Sequence, residues 1–159
     1  MDELLADPAI DLVINLTIPA VHAEVSLAAV AAGKNVHSEK PFATVRSAGQ
    51  QVLAAAQAKQ MGILALKAMA RGPWPKDAKR DRYPKCWYEP LAAPEDAMMG
   101  LRFTLSHPVT AAIPPGDETL FKQALGLALR FTPLKDDEAR AIKERALTGA
   151  PLFKFPTWG

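Results

Sequence analysis

Asn35-Val36-His37-Ser38-Glu39-Lys40-Pro41-Phe42 is the stretch that decides how the first third of the chain is read. A short strand leaves Gly33-Lys34, ends on an acid–base pair and is stopped by a proline. Before it stands Asp11-Leu12-Val13-Ile14-Asn15-Leu16-Thr17, and after it a helical pattern from Thr44 to Gln60. Strand, helix, strand, helix is the grammar of a parallel α/β sheet. Ligands of such sheets gather at the carboxyl ends of the strands, and Glu39, Lys40 and Thr17 are predicted to lie there.

The elements on either side obey the same logic. Met1 to Ala6 reads as the end of a helix, stopped by Asp7-Pro8. The run Leu12 to Leu16 is almost continuously apolar, the pattern of a strand buried on both faces. From Val21 to Ala32, apolar positions 21, 25, 28, 29 and 32 make one helix stripe, with Gly33 as its cap. Thr44 is the predicted N-cap of the helix over 45–60. Gly62 then introduces a third strand over 63–67. Pro73, Pro75, Pro84 and Pro90 forbid a long element between 70 and 93. A helix is predicted from Pro94 to about Ser106, a strand over 109–112, helices over 117–130 and 136–147, and a tail from Pro151. The fold class is α/β: a parallel sheet of about four strands flanked by helices.

Composition narrows the function. With 159 residues, 49% hydrophobic and 23% charged, the chain has the makings of a globular protein with a core of its own. No apolar run approaches the ~20 residues that span a membrane, and the acidic start Met1-Asp2-Glu3 is no secretory signal, so the expected location is cytoplasmic. The single cysteine, Cys86, has no partner for an internal disulfide, and no Cys/His spacing suggests zinc. A net charge of +2 is too small to argue for nucleic acid. Between Lys67 and Lys85, however, seven Lys/Arg stand with Trp74, Tyr83, Trp87 and Tyr88, so single-stranded nucleic acid is carried as a minor reading. Eleven of the fourteen prolines lie beyond residue 70, and the chain changes character near 59–72.

Two resemblances meet at that change. Asp7-Pro8-Ala9-Ile10-Asp11, Thr17-Ile18-Pro19-Ala20-Val21-His22, Ala32-Gly33-Lys34-Asn35-Val36 and Glu39-Lys40-Pro41 form an ordered series. It resembles the second half of the nucleotide-binding domain of the Gfo/Idh/MocA oxidoreductases. From Gly62 to Phe153 the chain resembles the carboxyl-terminal part of an aldo/keto reductase barrel. That likeness rests on Ile63-Leu64-Ala65-Leu66-Lys67-Ala68-Met69, Leu101-Arg102-Phe103-Thr104-Leu105 and the run Val109 to Gly116. The expected organisation is a partial dinucleotide-binding segment over 1–60 joined to a partial aldo/keto reductase-like segment over 61–159, in one compact unit, as a fused or truncated chimera.

The first resemblance implies a cofactor, NAD or NADP, held in a partial and weak site by Thr17, Pro19, His22, Glu39, Lys40 and Pro41. It also implies Lys40 as the catalytic group, since a lysine at a strand end polarises a substrate oxygen as hydride leaves. No metal is expected. The plainer reading makes Glu39 and Lys40 a solvated ion pair in a turn. A glycine-rich turn normally lets the pyrophosphate approach a helix N-terminus. The chain has nine glycines, and no two are separated by one residue. The barrel family's catalytic tetrad comes from its first half and finds no match. The expected function is therefore an NAD(P)-dependent oxidoreductase-like protein that retains partial nucleotide contacts without full catalytic activity, acting on a small-molecule substrate if on any. The rival is a catalytically inert α/β association module, or a fusion product with no selected activity. Self-association through the exposed edge of the strand at 11–16 is expected in either case.

Overall fold

The computed structural model describes residues 1–152; the tail expected over 151–159 lies, from 153 on, outside them. One compact unit was expected. The chain instead divides into two, Met1–Gly62 and Ile63–Gly159.

In the first unit a short helix α1 (Asp2–Ala6) leads to strand β1 (Leu12–Asn15). A 3-10 turn over Pro19–Val21 opens helix α2 (His22–Ala31), and strand β2 (Asn35–Ser38) and helix α3 (Arg46–Ala58) come next. The two strands pair in parallel, from Leu12 opposite Asn35 to Asn15 opposite Ser38. Helix α2 closes because Ala32 is its cap and Gly33 stands after it at φ 75°. The amides of Gly33 and Lys34 return to the carbonyls of Val30 and Ala29, a pairing that favours glycine in the left-handed position. Helix α3 ends the same way with Gln60 at φ 54°, its amide and that of Met61 reaching Gln57 and Ala56.

Three expectations are corrected in this unit. The strand at 12–15 is buried on one face alone: Val13 and Asn15 point inward while Leu12 and Ile14 are exposed. The buried line of α2 is His22, Ser26, Ala29 and Val30, turned from the apolar stripe because two of its members are polar and hydrogen-bonded. The N-cap of α3 is Val45, without a side-chain bond, and not Thr44.

The second unit starts with strand β3 (Leu64–Leu66), then β4 (Ala70–Gly72), β5 (Glu89–Pro90), helix α4 (Pro94–Leu105), strand β6 (Ala111–Ile113), and helices α5 (Glu118–Ala128) and α6 (Asp136–Leu147). The parallel partner of β3 is β6, while β4 and β5 form an antiparallel pair inside the stretch read as irregular. The architecture is α/β with short parallel sheets flanked by helices. The sheet of about four strands is corrected to separate two-stranded sheets. Strands of two to four residues bring few ladder bonds, and Pro90 has no N–H to extend one. The strand predicted at 109–112 starts at Ala111 because Thr110 is spent on Ile63: its Oγ1 accepts from the Ile63 amide and its own amide donates to the Ile63 carbonyl.

The second core is built from Ala68, Met69, Tyr83, Cys86, Ala97, Leu101, Leu120, Ala124 and Leu127. Trp74 donates from Nε1 to the Cys86 carbonyl and fixes the proline-rich loop against it. Arg102 on α4 clamps Glu138 on α6 with two bonds of 2.7 and 2.8 Å and also holds the carbonyls of Thr132 and Pro133. That fork holds the Glu138 carboxyl at about 2, far below its ordinary range.

Candidate functional site

The candidate site of the first unit lies where β1 and β2 end. The pair is carried one bond past Ser38, because the Glu39 amide donates to the Asn15 carbonyl at 3.0 Å. Both chains then turn away, β1 through Thr17 to Pro19 and β2 through Glu39 to Phe42. Thr17, Pro19, Glu39 and Lys40 are exposed and Pro41 is half-buried.

Beneath these residues lies a buried polar cluster. Asn15, 1% exposed, donates from Nδ2 to the His22 carbonyl at 2.9 Å and to Ser26 Oγ at 3.0 Å. Its Oδ1 accepts from the Thr17 hydroxyl at 2.7 Å. His22 is equally buried. Its Nδ1 lies 2.7 Å from the Pro41 carbonyl and its Nε2 lies 2.8 Å from the Thr17 carbonyl. The imidazole thus ties the two loops together across the strand ends, and every atom of the cluster has a partner.

Of the six residues expected to bind cofactor, the structure brings Thr17, His22 and Pro41 into direct contact through hydrogen bonds. Pro19 lies in the turn that starts α2, and Glu39 and Lys40 flank the same loop pair. The ion pair of the plainer reading does not form. Glu39 Oε1 instead accepts from the backbone amide of Lys40, and the ion pairs among the described residues all belong to the second unit. Asn15 and Ser26 were missed by the sequence reading. The signal that would have found them is an asparagine inside an apolar strand, which must find hydrogen bonds when it is buried.

A nicotinamide nucleotide fits this site in part. Thr17, Ile18, Pro19 and Lys40 are all exposed at the ends of β1 and β2. The loop that leaves β1 runs through Thr17-Ile18-Pro19 and contains no glycine. The three glycines of this unit lie after α2, within α3 and after Met61. A pyrophosphate has no glycine cradle here.

The second unit holds its own cleft, an open one of about 120 Å³ at the carboxyl ends of β3 and β6. Lys67 opens it in the left-handed region, at φ 71°, with Nζ 5.4 Å from the ring centres of both Trp87 and Tyr88. Burial pushes the Cys86 thiol and the Tyr88 phenol up. The hydrogen bond and charge of Glu118 push the Lys85 ammonium up. Among the described residues no group of His, Cys, Asp and Glu can hold a metal ion. No helix among them is long and apolar enough to cross a membrane.

Residues 1–65 match the Gfo/Idh/MocA family, an oxidoreductase family with an NAD-binding Rossmann fold. The match ends close to the boundary of the first unit. A crystal structure of a Bacteroides fragilis NCTC 9343 protein described as an oxidoreductase is 39% identical to this chain over 38% of its length, with a TM-score of 0.37. The chain spans about a fifth of that protein, 19%. No curated protein matches.

Proposed function

We propose that residues 1–62 are the nicotinamide-side wall of an NAD(P)-dependent oxidoreductase domain, retained without its phosphate cradle. The observation that carries this reading is the pair of loops held by His22 at the ends of β1 and β2. In this reading Thr17, Pro19, Glu39, Lys40 and Pro41, which belong to these loops, face the nucleotide. Thr17 and the loop backbone would hold the ribose and nicotinamide, and His22 would act on them from below by positioning their carbonyls. A bound nucleotide supplies the hydride acceptor or donor. Lys40 would offer its ammonium to a substrate oxygen, an interaction that strengthens as charge develops there. Residues 1–62 carry no glycine cradle for the pyrophosphate, which supports reading this stretch as insufficient for full catalytic activity by itself. Assayed with NADH and NADPH against sugars, inositols, aldehydes and ketones, it is expected to show no turnover. Substrate-dependent cofactor oxidation that disappears in Lys40→Ala would overturn this.

The second unit is proposed as a piece of an aldo/keto reductase-like barrel, which makes the chain a chimera of two fragments in a cytoplasmic setting. The support is the pairing of β3 with β6 and the cleft at their carboxyl ends.

A second reading, an association module without selected catalysis, is favoured by one observation. Leu12, Ile14, Leu16 and Ile18 are each more than half exposed along β1 and its continuation, and among the described residues β1 has a single partner strand. An apolar edge of this kind is a template for another chain, and the occupant proposed is a second copy of this one. Light scattering across a dilution series is expected to show self-association that Ile14→Lys removes. A monomer at high concentration in the unmodified chain would refute it.

A further inference from the structure

Both ring nitrogens of His22 face carbonyl oxygens, at 2.7 Å from Pro41 and 2.8 Å from Thr17. A carbonyl oxygen accepts and never donates. A neutral imidazole carries one N–H, so it serves one of these partners and turns a lone pair on the other. An imidazolium donates to both. We propose that His22 is a proton-dependent latch: doubly protonated, it holds the Thr17 and Pro41 loops together, and loss of one proton to solvent releases the Pro41 loop.

The structure indicates which loop leaves. Thr17 has a second tether, its hydroxyl on Asn15 Oδ1, and the His22 backbone is pinned by Asn15 Nδ2. The tethers of the Pro41 turn all stand ahead of Pro41: the Glu39 amide on the Asn15 carbonyl, Ser38 Oγ on the Glu39 carbonyl at 3.4 Å, and the Lys40 amide on its neighbour's carboxylate. The neutral ring therefore keeps its proton on Nε2, bonded to Thr17, and the repulsion falls on Nδ1 and Pro41. Because the ring is 1% exposed, water does not replace the lost bond in the closed state. The ionisable groups on the elements packed around it are Glu24 on α2, Asp11 ahead of β1, His37 on β2, Glu39 and Lys40 in the turn, and Arg46 at the start of α3. None of them makes a hydrogen bond or ion pair with the ring. Lys40 precedes Pro41 in the chain and moves with it. For that last step alone the inference rests on the nucleotide reading above: the nucleotide-facing set is complete when the latch is protonated and loses Lys40 when it is not.

The test uses the full chain with nitrogen-15-labelled histidine. His22 is assigned against His37→Gln and His107→Gln, the other two histidines, and the chain is titrated by NMR from about pH 5 to about pH 9. The expected result is a His22 ring protonated at both nitrogens on the acid side, passing to the Nε2–H form. The amides of Lys40 and Phe42 should shift with the same midpoint, and amide exchange in 42–44 should rise about tenfold. In His22→Gln that response of Lys40 and Phe42 should be flat. Should that variant not fold, the titration of the unmodified chain decides alone. A ring that stays in one neutral tautomer throughout would overturn the latch, as would loop shifts that vanish in Glu39→Gln. NAD added at both ends of the range separates the two readings. Coupled titration without nucleotide binding sinks the nucleotide wall and leaves the latch, whereas binding without coupling does the reverse.

Discussion

Replacing Asn15 by alanine removes the knot that holds the candidate site together, and the structure sets the size of the loss. Three short bonds at 2.7, 2.9 and 3.0 Å disappear, worth about 1 kcal/mol each in net terms, together with a long one of 3.4 Å from the Thr17 amide that adds little. One is recovered in part, because the Ser26 hydroxyl can turn onto the carbonyl of His22 four residues back, for roughly 1 kcal/mol. The small cavity left at a 1% exposed position costs about 1 kcal/mol more. The balance is about 3 kcal/mol, or about a hundredfold in the opening equilibrium of the first unit. Fluorescence cannot report it, since all three tryptophans and both tyrosines lie beyond residue 62. Amide hydrogen exchange at Val13, Ala29 and Val30, the buried apolar positions of β1 and α2, reads it directly. Exchange faster by about a hundredfold is expected. A change below about threefold, roughly 0.6 kcal/mol, would refute the claim that this cluster secures the loops.

Local geometry sets the remaining expected outcomes. Gln60 occupies a left-handed position that suits glycine, so Gln60→Gly should stabilise the first unit by about 0.5–1 kcal/mol. Gly33→Ala should cost about 1 kcal/mol although its added Cβ meets nothing within 4 Å, because the penalty is in the backbone; exchange measurements check both. In the second unit, the Arg102 fork holds the Glu138 carboxyl at about 2. The folded form therefore has the lowered value, and its contribution is complete above the ordinary carboxylate range and is lost as pH falls from about 4.5 to about 2. Thermal unfolding monitored by circular dichroism should show that loss, and Glu138→Gln should flatten it.

The sequence disclosed the helices and the strands of the first unit well, because Gly33, Pro41, Pro94 and the helical pattern of α3 are local signals that act where they stand. It did not disclose strand partners. The ends of β3 and β6 meet across more than forty residues, and nothing in Leu64-Ala65-Leu66 says whether its neighbour is β2 or β6. Periodicity misread α2 for a related reason. It counts apolar positions, whereas the buried face carries His22 and Ser26, polar groups made tolerable by Asn15. For the site, the exposed residues Thr17, Glu39 and Lys40 could be placed from the strand–turn grammar. The cluster beneath them could not, because a buried polar group is recognised by its partners, which are known only once the chain is folded.

The central claim, that the ends of β1 and β2 keep the nicotinamide side of a nucleotide site without its phosphate cradle, is tested most directly by titrating the nitrogen-15-labelled chain with NAD. The account predicts amide shifts confined to the Thr17, Ile18, Glu39 and Lys40 region, saturating with a Kd on the order of 1 mM, and lost in Thr17→Ala and Lys40→Ala. Shifts elsewhere with none on these residues, or micromolar binding that survives both substitutions, would contradict it.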